Sequence, residues 1–314
     1  MTSEELNEHI RHGTINEVIR VAEAKQKKQL SKIADEICAD PMLRVVLICG
    51  ASSAGKTTTA KRVCTQLMVN DRPAMHLSTD DYFVGDKLNP RDENGELDYE
   101  HVNCVDIPRL ASDVNALMSG ETIPRRRFDF IQHEPTYTDE FITLPKGGFV
   151  VIEGIHALNP ILTEGIDDRL KFRLFIDPIP GLDIFGGITP TSADARFLRR
   201  MVRDNQFRKL SPVKTVSMWP KVLEGERKWI DPFRRHADAA FNSYLIYELS
   251  ALKYYVGGLL EFAKREIGEN GDAGWLRQIT NMMRLLKVVL PISPEAIPGD
   301  SILRETIGGS QLEY

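Results

Sequence analysis

The chain has 314 residues, with 40 lysines and arginines against 45 aspartates and glutamates, a formal charge of −5. That balance gives no general attraction to nucleic acid, and 42% hydrophobic with 27% charged residues is the makeup of an ordinary globule. No run approaches the roughly 18 apolar residues of a membrane span, and an N-terminus carrying Glu4, Glu5 and Glu8 is not a secretory signal. The cysteines, Cys38, Cys49, Cys64 and Cys104, show no close pairing and read as reduced thiols of a cytoplasmic protein.

Residues 1–40 read as a helical extension, apolar at Ile15, Val18, Ile19, Leu30, Ile33 and Ile37 and closed by Pro41. Arg44-Val45-Val46-Leu47-Ile48-Cys49 is a short apolar run, expected to be a buried strand. Gly50-Ala51-Ser52-Ser53-Ala54-Gly55-Lys56-Thr57 follows it and spells G-x-x-x-x-G-K-[ST], and Thr58 to Leu67 reads as a helix. Strand, glycine-rich turn and helix together make the motif a phosphate site. The backbone from Gly50 to Thr58 would wrap the phosphates, Lys56 would reach the β/γ-phosphates and Thr57 would hold Mg²⁺. A nucleoside triphosphate is the expected ligand.

Further strands are expected at Ala74–Ser78, Gly148–Gly154 and Phe172–Asp177, with helices at Ile107–Met118 and Ala193–Phe207. Asp238 to Ala263 reads as a strand-like piece and a long apolar helix, and Gly268–Asp272 as a linker. Trp275 to Val289 reads as one more helix, and the proline-rich stretch from Pro291 to Tyr314 as a surface wrap. Strands interleaved with helices predict an α/β fold with a mostly parallel sheet, whose ligands gather at the strands' carboxyl ends. The expected organisation is a kinase core over 41–265 between a helical extension (1–40) and a C-terminal helix and tail (266–314). The apolar face of Trp275, Leu276, Ile279, Met282, Met283, Leu285 and Leu286 could pack on that core or on a second copy, which makes a homodimer the expectation.

Asp80 and Asp81 end the second strand, where a carboxylate can take the proton of an acceptor hydroxyl. Asp80, nearer the strand, is the candidate base and a second magnesium-side ligand. Asp81 and Tyr82 are counted among the acceptor contacts. Glu153 ends the most apolar strand, where a carboxylate needs a partner, and the magnesium–water shell supplies one. Arg199, Arg200 and Arg203 lie on a helix that could close over the nucleotide, with Arg208 beyond it; arginine forks suit phosphoryl oxygens. The stretch between Asp80 and Glu153 must hold the acceptor, and Asp98, Tyr99, His101, Arg127, Phe128, Asp129, Phe130 and His133 stand out there. A switch GTPase is disfavoured, since neither D-x-x-G nor N-K-x-D follows in the required places.

Gly50–Thr57, Leu77–Phe83, Phe128–His133, Val151–Ile155 and Arg199–Asp204, in that order, resemble the uridine kinase/phosphoribulokinase family of P-loop kinases. The resemblance implies a nucleoside-monophosphate-kinase-like fold, with helices on both faces of a five-stranded parallel sheet and a helical lid. It implies transfer of the γ-phosphate of ATP, with Mg²⁺, to a sugar hydroxyl, in uridine kinases the 5′-hydroxyl. By position, Asp80 resembles the family's base, Glu153 its magnesium-side carboxylate and Asp98 its ribose-holding carboxylate. Phe128, Phe130 and His133 fall where the base is read, and Arg200, Arg203 and Arg208 in the lid. Phe128 stands where tyrosine is usual and Asp81 where serine is common. The loop Gly181–Pro190 is longer than in compact uridine kinases. Ile155–Pro160, Phe241–Ser243 with Tyr247–Leu249, and Ser301–Gly309 resemble bacterial uridine-kinase-related proteins, whose threonyl-tRNA-synthetase-like N-terminal region is expected to be missing here. Uridine or cytidine is the first expected acceptor; another sugar or sugar phosphate is the alternative, and a non-catalytic nucleotide sensor the alternative of another class.

Overall fold

The computed structural model describes residues 1–129, 132–184, 189–269 and 271–313. The strands are β1 (Val45–Cys49), β2 (Ala74–Ser78), β3 (Thr122–Asp129), β4 (Glu134–Thr143), β5 (Phe149–Glu153), β6 (Lys171–Asp177) and β7 (Ala239–Asn242). Five of them form one parallel sheet in the order β2-β5-β1-β6-β7. β1 and β5 are buried along their whole length, as their unbroken apolar sequences require when both faces are covered. Side chains alternate across the sheet: Val46 and Ile48 enter one apolar cluster, Val45, Leu47 and Cys49 the other.

The helices are α1 (Ser3–Arg11), α2 (Ile15–Ala39), α3 (Lys56–Val69), α4 (Ile107–Met118), α5 (Ser192–Phe207), α6 (Pro212–Trp229), α7 (Glu248–Ile267), α8 (Ala273–Lys287) and α9 (Arg304–Ile307). Local chemistry fixes several starts. Thr191 and Asp194 form a reciprocal capping box on α5, and Ser211 caps α6 with Pro212 at its first turn. Residues of α2, α3, α5, α7, α8 and the tail share the larger cluster, so the helical additions at both ends pack into the same apolar mass as the sheet. The smaller cluster lies under α4 and the β3–β4 hairpin.

Three features bear on the expectations. Ile279, Met282, Leu285 and Leu286 of α8 are buried in the chain's own core beside α7, the first of the two packings open to that face. The tail is no surface wrap: Ser301, Ile302 and Leu303 are at most 2% exposed, seated near the phosphate loop. Between α4 and β5 the chain builds the antiparallel β3–β4 hairpin, which the sequence pattern does not announce. Among the described residues no helix is long and apolar enough to cross a membrane.

Candidate active site

The parallel register brings the ends of β1, β2 and β5 level, pairing Glu153 with Ile48 on one side and Ser78 on the other. The phosphate loop leaves β1 at this edge. Ser53 and Gly55 take φ of +64° and +87°, left-handed values that favour glycine at the second. A side chain at Gly50 would collide with the carbonyl oxygen of Ile176, so the loop must begin without one.

Carbonyl oxygens of the loop are gripped from behind. Ser243 Oγ donates to Ala54 O at 2.6 Å and Arg199 Nη1 to Ser53 O at 3.4 Å. Arg199 Nε and Nη2 also donate to Glu248 at 2.6 and 2.7 Å, and Nη2 to Ser243 O at 2.9 Å. Tying these carbonyls backward fixes the loop's backbone, and the Ala54 N–H between them closes a turn onto Ala51 O at 3.1 Å. This corrects one expectation. Arg199, counted among groups that meet the nucleotide, is 2% exposed and faces α7, because the fully buried Glu248 draws it behind the loop.

In front of the loop, Glu153 accepts from Thr57 Oγ1 and Ser78 Oγ, each at 2.9 Å, with His76 Nε2 at 3.8 Å. Burial works to raise its pKa, but His76, the Lys56 charge and Ser78 outweigh it and hold the carboxylate well below its usual range. Asp80 goes the other way, raised to about 6 by burial and then by the neighbouring Glu153, against Lys56 and Arg208. Thr57, Glu153 and Asp80 offer only oxygen donors, the set a hard cation takes. Among the described residues no cluster of three or more acidic, histidine or cysteine groups forms a metal cage. A cation here would take its remaining ligands from phosphate oxygens and water.

Arg200 Nη1 reaches Ser52 Oγ of the loop at 2.8 Å. Its Nε, Arg203 Nη2 and Arg208 Nε all lie around the buried Asp204, at 3.2, 2.7 and 3.8 Å. Three guanidinium groups share one carboxylate, and the excess positive charge shows in Arg208, pushed down to about 10 first by Arg203 and then by burial. Such a cluster draws an anion to the mouth. Glu100 went unnoticed in the sequence; it is raised by burial and feels Arg200, Lys56 and Asp80 together. α6 covers it closely, since a Cβ at Gly225 would stand 2.7 Å from Glu100 Cβ.

The expected acceptor residues divide. Asp81 pairs with Arg127 at 3.1 Å. Phe128 meets Phe83 edge-on with ring centroids 5.4 Å apart, and Tyr99 lies 6.3 Å from Phe83. Tyr99 Oη bridges Asp86 and His133 Nδ1, the latter at 2.8 Å. Asp98 accepts from the Glu100 N–H at 3.1 Å. Tyr82 is corrected: it is 2% exposed, with its hydroxyl donating to Asp113 on α4 at 3.1 Å, so it supports the fold beneath the site. Thr58 also departs from expectation, its N–H and Oγ1 both directed to Glu305 of the tail. Phe130 and part of the Gly181–Pro190 loop lie outside the described residues.

A parallel sheet with the phosphate loop at its carboxyl edge, a buried Glu153 beside a half-buried Asp80, and an arginine cover define a P-loop phosphotransferase. A profile of the phosphoribulokinase/uridine kinase family matches residues 45–248, and the chain belongs to that family. It is therefore an ATP-dependent phosphotransferase with a hydroxyl acceptor. It is 29% identical over 195 residues to a uridine kinase of Deinococcus deserti, covering 62% of this chain and 84% of the relative. A uridine kinase of Lactobacillus helveticus is 27% identical, over 62% and 83% of the two chains. Among solved structures, one from Bacillus stearothermophilus described as a possible uridine kinase superposes with a TM-score of 0.46 at 16% identity, covering 69% of this chain and 100% of that one.

Proposed function

We propose that the acceptor is the 5′-hydroxyl of a nucleoside, uridine or cytidine first, and that Mg²⁺ accompanies the ATP. One observation carries the choice against a phosphorylated sugar. The run Arg125-Arg126-Arg127 would serve an acceptor phosphate, yet each member has a carboxylate of its own chain: Glu140 at 2.9 Å, Asp106 at 2.8 Å and Asp81 at 3.1 Å. Next to Arg127 in the chain, Phe128 meets Phe83, Phe83 meets Tyr99 and Tyr99 meets His133, an aromatic row with a polar end, suited to a base. The curated relatives named uridine kinase support the same reading.

In this reading the acceptor hydroxyl attacks the γ-phosphorus, the bond to the β–γ bridging oxygen breaks, and ADP leaves. Asp80 takes the hydroxyl proton, its raised pKa bringing it nearer the working pH than an ordinary carboxylate. Lys56 and the N–H groups of Gly50 to Thr57 hold the β/γ-phosphates, and Arg200, Arg203 and Arg208 meet the charge on the transferring group. Thr57 and Glu153 would hold the cation, Glu153 through water. A bound Mg²⁺ would neutralise phosphate charge and align the β- and γ-phosphates. Asp98 would hold ribose hydroxyls, and His133 the base edge.

ADP release measured with a panel of nucleosides, sugars and sugar phosphates tests the assignment. Uridine and cytidine should stimulate release well above the acceptor-free rate. Turnover of a sugar phosphate with no pyrimidine nucleoside active would overturn it.

A further inference from the structure

The segment Ser301–Gly309, singled out in the sequence but given no part in the reaction above, is built into the phosphate loop. Ile302 packs so closely on the loop that a Cβ at Gly55 would come within 2.5 Å of its side chain. α3 begins at Lys56, so the N–H groups of Lys56, Thr57 and Thr58 have no partner inside the helix and are the donors a phosphate would use. Thr58 is already engaged. Glu305 Oε2 accepts from its N–H at 3.2 Å and from its Oγ1 at 2.6 Å. A carboxylate of the tail thus stands at the positive end of the phosphate-binding helix.

The rest of the segment is fastened down. Arg62 Nε on α3 donates to the Asp300 carbonyl at 3.1 Å, and Lys27 on α2 pairs with the Asp300 carboxylate at 2.6 Å. Arg304 donates to the carbonyls of Pro294, Pro298 and Gly308 at 3.0, 3.2 and 3.1 Å, holding the tail's own turns. Leu303 is fully buried. The backbone therefore stays while a glutamate side chain, with its rotatable bonds, can turn away.

We propose that Glu305 sets the affinity for the phosphate donor by competing with nucleotide phosphate for Thr58, while Ile302 remains as a fixed wall of the loop. The proposal rests on the assignment of Gly50–Thr58 as the nucleotide site. Two anions cannot share one helix terminus without repulsion, so nucleotide must displace the carboxylate. Its binding is weakened by whatever that contact contributes to the free protein. By linkage, the tail's packing and nucleotide occupancy are coupled.

Titration calorimetry with MgADP on the full chain tests this, comparing the unaltered protein with Glu305→Gln, which keeps shape and removes charge, and with Glu305→Ala. Both variants should bind about tenfold more tightly, the order expected when an anion no longer competes at a helix N-terminus. Thermal melting supplies the second reading: without nucleotide both variants should melt slightly lower, and the upward shift on adding MgADP should be larger than in the unaltered protein. Unchanged or weaker MgADP binding in both would overturn the proposal. Binding that survives Lys56→Ala in every background would instead overturn the nucleotide-site assignment, whatever Glu305 does.

Discussion

Asp80→Asn is expected to lower kcat by about 10²–10⁴-fold, the contribution of a positioned general base, while changing MgADP affinity far less. The separation follows from placement. Asp80 stands at the end of β2, with the Ser78 hydroxyl accepting its N–H at 3.3 Å, whereas the phosphate cradle comes from the β1–α3 loop. Asparagine keeps the volume and cannot take the proton. Steady-state kinetics with saturating uridine, beside calorimetric MgADP binding, separates the two effects. Near-normal turnover would remove Asp80 from the mechanism and make Asp81 the next candidate.

The second large effect concerns the grip behind the phosphate loop. Glu248→Ala leaves the Arg199 guanidinium buried without its carboxylate, and breaking such a pair costs about 3–5 kcal/mol. Against a typical total of about 5–15 kcal/mol, that brings the fold near its limit. Chemical denaturation measures it. Because Arg199 and Ser243 also hold the Ser53 and Ala54 carbonyls, the surviving folded fraction should show a raised KM for ATP. Ser243→Ala, which keeps the ion pair and removes one grip, should raise that KM with a smaller loss of stability. A Glu248→Ala protein as stable as its parent would show that the pair does not support the loop.

What could be read from sequence was what is local. β1, the glycine turn and α3 are contiguous, and their apolar run, glycines and lysine carry their meaning within about two dozen residues. Glu153 was legible for a similar reason, as a charge ending a strand that is otherwise wholly apolar. The misses come from partners far apart in the chain. Nothing near Arg199 marks it as a buried ion-pair member; its carboxylate is 49 residues on, at Glu248. The tail's role depends on a contact between Thr58 and Glu305, 247 residues apart, and its prolines and glycines gave the appearance of a surface wrap. The β3–β4 hairpin escaped because β4 is exposed at most positions, so the alternation that marks a half-buried strand is missing. α6 was hidden by Pro220 inside it, a residue that normally argues against a helix. Glu100 looked like one more acidic residue until α6 closed over it.

Phosphorus NMR of a complete reaction reads out phosphoryl transfer from ATP to a nucleoside 5′-hydroxyl. With uridine, MgATP and the unaltered protein, uridine 5′-monophosphate should appear in step with ADP, with little free phosphate. ADP accompanied only by inorganic phosphate, or phosphate carried on the 2′- or 3′-oxygen, would contradict it.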